Sequence, residues 1–267
     1  MGRTIQYTVV GDDGASSTIT DTNAFRPADR EVRLTIIRIV RDHLRDPGTA
    51  TTWCGLDLDF TGATFDGGDF SQATFLGGKV TFNQATFSGL VDFAGARFGG
   101  GTVTFNRATF DDGVRLDRTE FSAGLVTFYQ AVFGGRLVSF HEASFSGGAV
   151  SFNGARFSGG AVSFNYARFA GAALTFSRID LSAGAITFAG ARFSGGAIGF
   201  DRARLRGGTI SFNLASLSAG KVNFTGVEFS DGGTVTFTGA QFSPGVVTRD
   251  GEPFFGWPGD DIERATQ

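Results

Sequence analysis

From Phe60 to Phe242 the apolar positions recur in a fixed register held by twenty-eight Phe and four Leu, leaving three Phe elsewhere in the chain. The register starts in steps of five, at Phe60, Phe65, Phe70 and Phe75. From Phe82 it alternates steps of five with steps of mostly seven, so that one unit reads Ala149-Val-Ser-Phe-Asn-Gly-Ala-Arg-Phe-Ser-Gly-Gly160. Such a short fixed period signals stacked coils rather than a globular core. Within each unit the spacing predicts two short strands, Val-x-Phe and Ala-x-Phe, whose alternate residues point to one side of the pleat.

Val, Ala and both Phe of a unit therefore face inward. Polar or Gly-rich stretches such as Asn153-Gly154 and Ser158-Gly159-Gly160 turn the corners, which explains 41 glycines. Each coil then pairs its backbone with the coils above and below at roughly 4.8 Å. Burial of one Phe contributes roughly 1.5–3 kcal/mol, so a lattice of rings offsets the entropy of ordering a Gly-rich chain. The expected core includes Phe60, Phe65, Phe70, Phe75, Phe82, Phe87, Phe152, Phe157, Phe164 and Phe169.

The segments Ala63-Thr-Phe65, Ala73-Thr-Phe75, Ala85-Thr-Phe87 and Ala155-Arg-Phe157 resemble the pentapeptide-repeat family, whose motif sets a small residue two positions before a central Leu or Phe. The resemblance covers Leu56 to Pro244. It implies an all-β solenoid, a right-handed quadrilateral parallel β-helix, here with an N-terminal α-helical cap. The departure is the inserted pair of residues in every second step. A narrower resemblance is to a bacterial subgroup with twelve-residue paired units, in which a helix like Glu31-Val-Arg-Leu-Thr-Ile-Ile-Arg38 precedes Gly55-Leu-Asp-Leu-Asp-Phe-Thr-Gly62. Members of that subgroup often begin with membrane-spanning segments, whereas no run of eighteen apolar residues occurs in this sequence.

Two coil sizes compete, twenty-four residues with four faces or twelve with two. Charge on the residue before each second Phe separates them, because stacked neighbours of opposite sign help and like signs hurt. In the larger coil Arg156, Asp180, Arg204 and Glu228 alternate and Arg97 meets Glu120, against one clash of Arg168 with Arg192. In the smaller coil Arg156 stacks on Arg168 and Arg192 on Arg204. The larger coil is favoured, giving about eight coils and a rod of roughly 38 Å.

Outside the repeats, Arg3 to Val10 alternates weakly and predicts a strand, while Ala15 to Asn23 reads as loop. Asp29 is expected to cap a helix reaching Arg45, with Val32, Ile36, Ile39, Val40 and His43 on its packed face and Pro47-Gly48 ending it. Its expected task is to cover the open end of the solenoid. At the far end, Pro253-Phe-Phe-Gly-Trp-Pro258 is expected to fold over the last coil and Gly259 to Gln267 to form a loose tail. The organisation read from the sequence is a capping region 1–50, a solenoid 51–246 and a closing segment 247–267.

Catalytic chemistry is poorly supplied. Two histidines, His43 and His141, lie far apart, and His141-Glu142 lacks the second His of a zinc-protease helix. A single cysteine, Cys54, excludes an intramolecular disulfide and fits a reducing, cytoplasmic setting. Gly77-Gly78-Lys79 lacks the upstream Gly and following hydroxyl of a phosphate loop. An enzyme would need a pocket at the cap near His43, Trp53, Cys54 or Trp257. No cofactor and no metal is implied.

The expected role is a non-enzymatic interaction or structural scaffold with a protein partner, with homo-oligomerisation through the cap or a rod end left open. The alternative is a mimic of DNA, since some members of the resembled family present acidic faces to type II topoisomerases such as gyrase. Between Leu56 and Val246, however, fourteen acidic residues meet fourteen basic ones, which leaves a neutral rod and argues against nucleic acid as a partner. The Asn column at positions 83, 106, 153, 165 and 213 reads as corner chemistry, with Asn bonding its own backbone. Rows of Ser and Thr resemble ice-binding faces, but they alternate with Arg and Glu.

Overall fold

The repeat closes on itself every 22 to 25 residues, so that each Phe meets its counterpart one coil away. In the computed structural model, which describes residues 4–10, 16–22, 27–134, 137–243 and 246–253, Arg156 pairs with Asp180, Asp180 with Arg204 and Arg204 with Glu228, each 24 residues on. Glu120 lies between Arg97 and Ser144, and Arg168 lies beside Arg192. These are the stacking partners expected of the twenty-four-residue coil. The result is a parallel β-solenoid of about eight turns, built as one 14-stranded and one 16-stranded sheet.

Each full coil contributes four short strands. Two centre on Val or a similar residue, as in Ala149–Ser151 and Ala161–Ser163; two end on Phe or Leu, as in Arg156–Phe157 and Arg168–Phe169. The first Phe of a unit lies one residue beyond its strand rather than in it, and there opens a four-residue corner. Phe152-Asn-Gly-Ala155 closes with the Ala155 N–H donating to the Phe152 carbonyl at 2.9 Å, and the same bond recurs around the rod. The third residue of these corners is left-handed whether or not it is Gly: Gly154 at φ 68°, Tyr166 at 59° and Leu214 at 57°. Neighbouring coils hold the corner from both sides, so a side chain there is tolerated although the backbone prefers Gly.

Inside, Val, Ala and both Phe of the middle units are sealed, whereas Phe229 and Phe242 near the far end are partly buried. Phe164 is fully buried and stacks on Phe140 at 4.6 Å and on Phe188 at 4.9 Å, one coil to either side. Of the ten rings named above as core, nine are buried; Phe60, in the first coil, is half-buried because no coil lies above it.

The amino-terminal region departs from the sequence reading in three ways. First, β1 (Thr4–Val10) has a partner: β2 (Ser16–Thr22) pairs antiparallel with it, where a loop was expected, because the alternating Thr and Ser of that stretch satisfy a ladder as readily as a loop. Second, the helix α1 (Pro27–Arg45) begins two residues before Asp29, with Pro27 at its first position, where a missing N–H costs nothing. Asp29 is therefore a first-turn residue rather than the cap.

Third, the buried face of α1 is Ile37, Val40 and Leu44, whereas Val32, Ile36 and Ile39 are exposed. Of the expected face only Val40 is buried, with His43 half-buried. The rotation has a charge origin. β3 (Leu58–Asp59) and β4 (Thr64–Asp69) belong to the first coil; Arg33 pairs with Asp66, Arg41 with Asp69, and the Arg45 guanidinium donates to the Ser71 carbonyl at 3.0 Å. Three arginines along one edge turn the helix until Ile37, Val40 and Leu44 meet the open core. The segment expected to fold over the last coil lies outside the described residues beyond Pro253; the last described pairing is antiparallel, Glu252–Pro253 on Val247–Arg249.

Candidate interaction surface

With the rings sealed inside, the chemistry the molecule presents lies in the outward columns, the corners and the cap. The columns before Phe carry the charge. Arg97 reaches Glu120 at 3.3 Å and Arg204 reaches Glu228 at 3.2 Å, both across adjacent coils. Asp180 stands between Arg156 and Arg204 but makes its ion pair with Arg206, at 3.7 Å. At the corners, Arg118 reaches Glu142 at 2.8 Å and holds that carboxyl below its usual range. The charge alternates along the column of Arg156, Asp180, Arg204 and Glu228, whereas Arg168 lies beside Arg192 in the other, and exposed pairs of this kind contribute little stability.

The columns before Val are short and uncharged over long stretches, running Ala149, Ala173 and Ala197 on one face and Ala161 and Ala185 on another. The hydroxyls after Val do not form a flat exposed row. Thr104, Ser139 and Ser163 are buried, and Thr187 donates to the Asn165 side chain at 2.8 Å. The resemblance to an ice-binding face fails because these groups point into the corners.

The Asn column is corner chemistry, but its partner is the next coil. Asn165 Oδ1 accepts the Ala189 N–H at 3.0 Å; Asn153 Oδ1 accepts Ser177 N–H at 2.9 Å; Asn213 Oδ1 accepts Thr238 N–H at 2.9 Å. Asp117 does the same for His141 at 3.2 Å. Each such bond satisfies a corner N–H that the strand ladders do not reach. The left-handed residue is the one after Asn, not Asn itself.

Among the described residues of the cap, the His43 and Cys54 side chains are not brought to one another. His43 stacks on Trp53 at 4.3 Å between centroids and 12° between planes, and its Nδ1 lies 2.8 Å from the Thr51 carbonyl. Cys54 is buried, its thiol donating to the Leu44 carbonyl at 3.3 Å. The two side chains are each turned to backbone rather than to one another, and Trp257 lies outside the described residues. His141 is in edge contact with Tyr166 at 5.5 Å, far along the rod. Lys79 of the Gly-Gly-Lys corner donates its N–H to Asp57 at 2.6 Å, which occupies the group a phosphate would use. Among the described residues no group of three His, Cys, Asp or Glu is placed to hold a metal, and no helix is long and apolar enough to cross a membrane.

Residues 56–96, 82–131 and 128–180 match the family model for pentapeptide repeats (9 copies). Residues 56–180 are pentapeptide repeats. The matched segments stop at residue 180, whereas the ladder runs on through Phe242 with the same corners and stacked rings. No curated protein and no solved structure matches the chain. Its coarse class is that of a pentapeptide-repeat β-solenoid.

What the sequence did not reveal lies mainly at the cap and corners. The clamp of Arg33, Arg41 and Arg45 depends on which edge of the first coil the helix meets. The exposed stripe Val32, Ile36 and Ile39 follows from that clamp. Tyr166 and Leu214, at 61% and 70% exposed, stand out from left-handed corners where Gly was the expectation.

Proposed function

We propose that this protein is a rigid scaffold whose faces bind other proteins, and that it performs no chemistry of its own. The observation that carries this reading is the division of labour in each coil. The Phe rings of the coils face inward, the corner Asn side chains bond the next coil, and the outward columns offer small side chains framed by charges of both signs. Such a surface is stiff, repetitive and roughly neutral, suited to a partner that spans several coils. The folded region serves as one solenoid over about 51–246, with 1–50 as its cap.

The test is capture from native lysate with the whole chain and with a variant that breaks a face, Ala149→Glu with Ala173→Glu. A partner that follows the wild type and is lost from the variant supports the scaffold reading; an enzymatic turnover that survives the variant and fails on substitution of His43 sinks it. A DNA-mimicking role toward gyrase is the alternative, and the alternation of Arg156, Asp180, Arg204 and Glu228 weighs against it because a mimic needs a continuous acidic column. Inhibition of gyrase supercoiling by the purified protein would reverse that preference.

A further inference from the structure

The charges of the later coils are divided between the two sheets. On the side of the 16-stranded sheet, the stretches 164–176, 188–200 and 212–224 hold no acidic residue, yet they carry Arg168, Arg192 and Lys221. Asp180 and Glu228 stand in the other sheet, and Asp201, at the border, accepts the Asn223 amide at 2.7 Å. Glu142, whose field reaches Arg168, is held by Arg118 at 2.8 Å. The three cations are exposed, and none makes an ion pair among the described residues. Arg168 lies beside Arg192, so the ladder sets two like charges roughly 4.8 Å apart, a contact that costs stability unless an anion joins it.

We propose that the acidic segment Asp260-Asp-Ile-Glu263 of the same chain docks on this face, its carboxylates meeting Arg192, Arg168 and Lys221. The charges are complementary: no basic residue occurs between Arg249 and Arg264, whereas three acids fall within Asp260 to Glu263. The direction also fits. Glu252–Pro253 pairs antiparallel on Val247–Arg249, so the chain leaves the last coil running back toward the column of Gln241, Ser216, Arg192 and Arg168. Arg192 lies two coils from Gln241 and Arg168 three, roughly 10 and 14 Å. The residues from Pro253 to Asp261 span up to roughly 26 Å, which covers both with length to spare. Tyr166 and Leu214, each two residues before a member of that column, are exposed and offer Ile262 an apolar neighbour. Tethering sets the effective concentration of the segment on the order of millimolar, so individually weak ion pairs suffice. The contact stands whether or not the faces bind other proteins; where they do, the tail competes for this one.

The two lysines of the chain provide the test. Lys79 and Lys221 stand in one outward column, toward opposite ends of the rod. Zero-length carbodiimide coupling of the full chain at low micromolar concentration, read by peptide mass spectrometry, reports which of them meets the tail. The expected product is an amide from Lys221 to Asp260, Asp261 or Glu263, with none at Lys79, and a mixture of isotope-labelled and unlabelled chains should show it to be intramolecular. Arg168→Glu with Arg192→Glu should cut this coupling several-fold, as should about 0.5 M salt in the wild type. Arg178→Glu with Arg202→Glu, on a different corner column, should leave it unchanged. Absence of the Lys221 link overturns the proposal, as does a link formed only between labelled and unlabelled chains. So does a link that persists undiminished in salt, or in an Arg168→Glu, Arg192→Glu variant whose circular dichroism spectrum matches wild type.

Discussion

Ile37 reaches into the space of a missing side chain at Gly68: its Cδ1 lies 3.1 Å from where a β-carbon on Gly68 would sit. Gly68 aligns with Val91, the inward Val of the next coil, so the helix supplies the apolar group that the first coil lacks. The cap is keyed to the rod by this exchange. Gly68→Val should force Ile37 out and cost about 1–3 kcal/mol of cap stability, as overpacking does. Limited proteolysis should then cut between α1 and the first coil while the later coils stay protected.

Phe164 tests the ring lattice in mid-rod, where it is sealed between Phe140 and Phe188. Phe164→Ala should lower unfolding free energy by about 3–5 kcal/mol in denaturant titration. Phe157→Asp should prevent the soluble folded rod from accumulating, because a buried carboxylate there has no partner.

Asn165 holds two groups of the next coil, the Ala189 N–H and the Thr187 hydroxyl. Asn165→Ala leaves both without this acceptor and should cost about 1–3 kcal/mol. Asn153→Ser should cost less, since Ser177 already occupies the same column one coil later. Thermal melts of the two variants, compared with wild type, check the order.

Two left-handed glycines separate backbone strain from collision. At Gly184, with φ +81°, an added β-carbon would lie 2.0 Å from the Gly160 carbonyl oxygen; at Gly232, with φ +82°, it would meet nothing within 4 Å. Gly232→Ala should therefore cost only the left-handed penalty, about 1–2 kcal/mol. Gly184→Ala should cost clearly more, because the coils must part. Equilibrium unfolding of both variants gives the difference directly.

The Asp69 carboxyl sits below its ordinary range: partial burial pushes it up, but hydrogen bonds from Ser71 and the Arg41 guanidinium more than offset that. Its contribution to holding α1 is present above the unfolded carboxyl value of about 3.9 and is lost as pH falls through the lower folded value. The cap should loosen in acid, below about pH 4, before the strands do. Fluorescence of Trp53 in a Trp257→Phe background, set against the far-ultraviolet strand signal, should show two separate transitions. Asp69→Asn should remove the anchor at neutral pH as well.

The periodic rings, the Gly-rich corners and the charge column were enough to determine the coil of this protein. Arg156 to Glu228 could be placed in one stack because the spacing left two ways to close the coil and their alternating charges favoured the one of twenty-four residues. The core rings were legible for the same reason. The corner amides were legible as corners but not as links, since Asn165 bonds a backbone 24 residues away that no local pattern identifies. Only the tertiary structure decided how α1 sits. Its apolar residues outnumber those of a single narrow face, so Val32, Ile36 and Ile39 were as eligible for burial as Ile37, Val40 and Leu44. The choice fell to Asp66, Asp69 and Ser71 on the first coil, whose contacts with three arginines fix the helix rotation and leave one apolar stripe facing out.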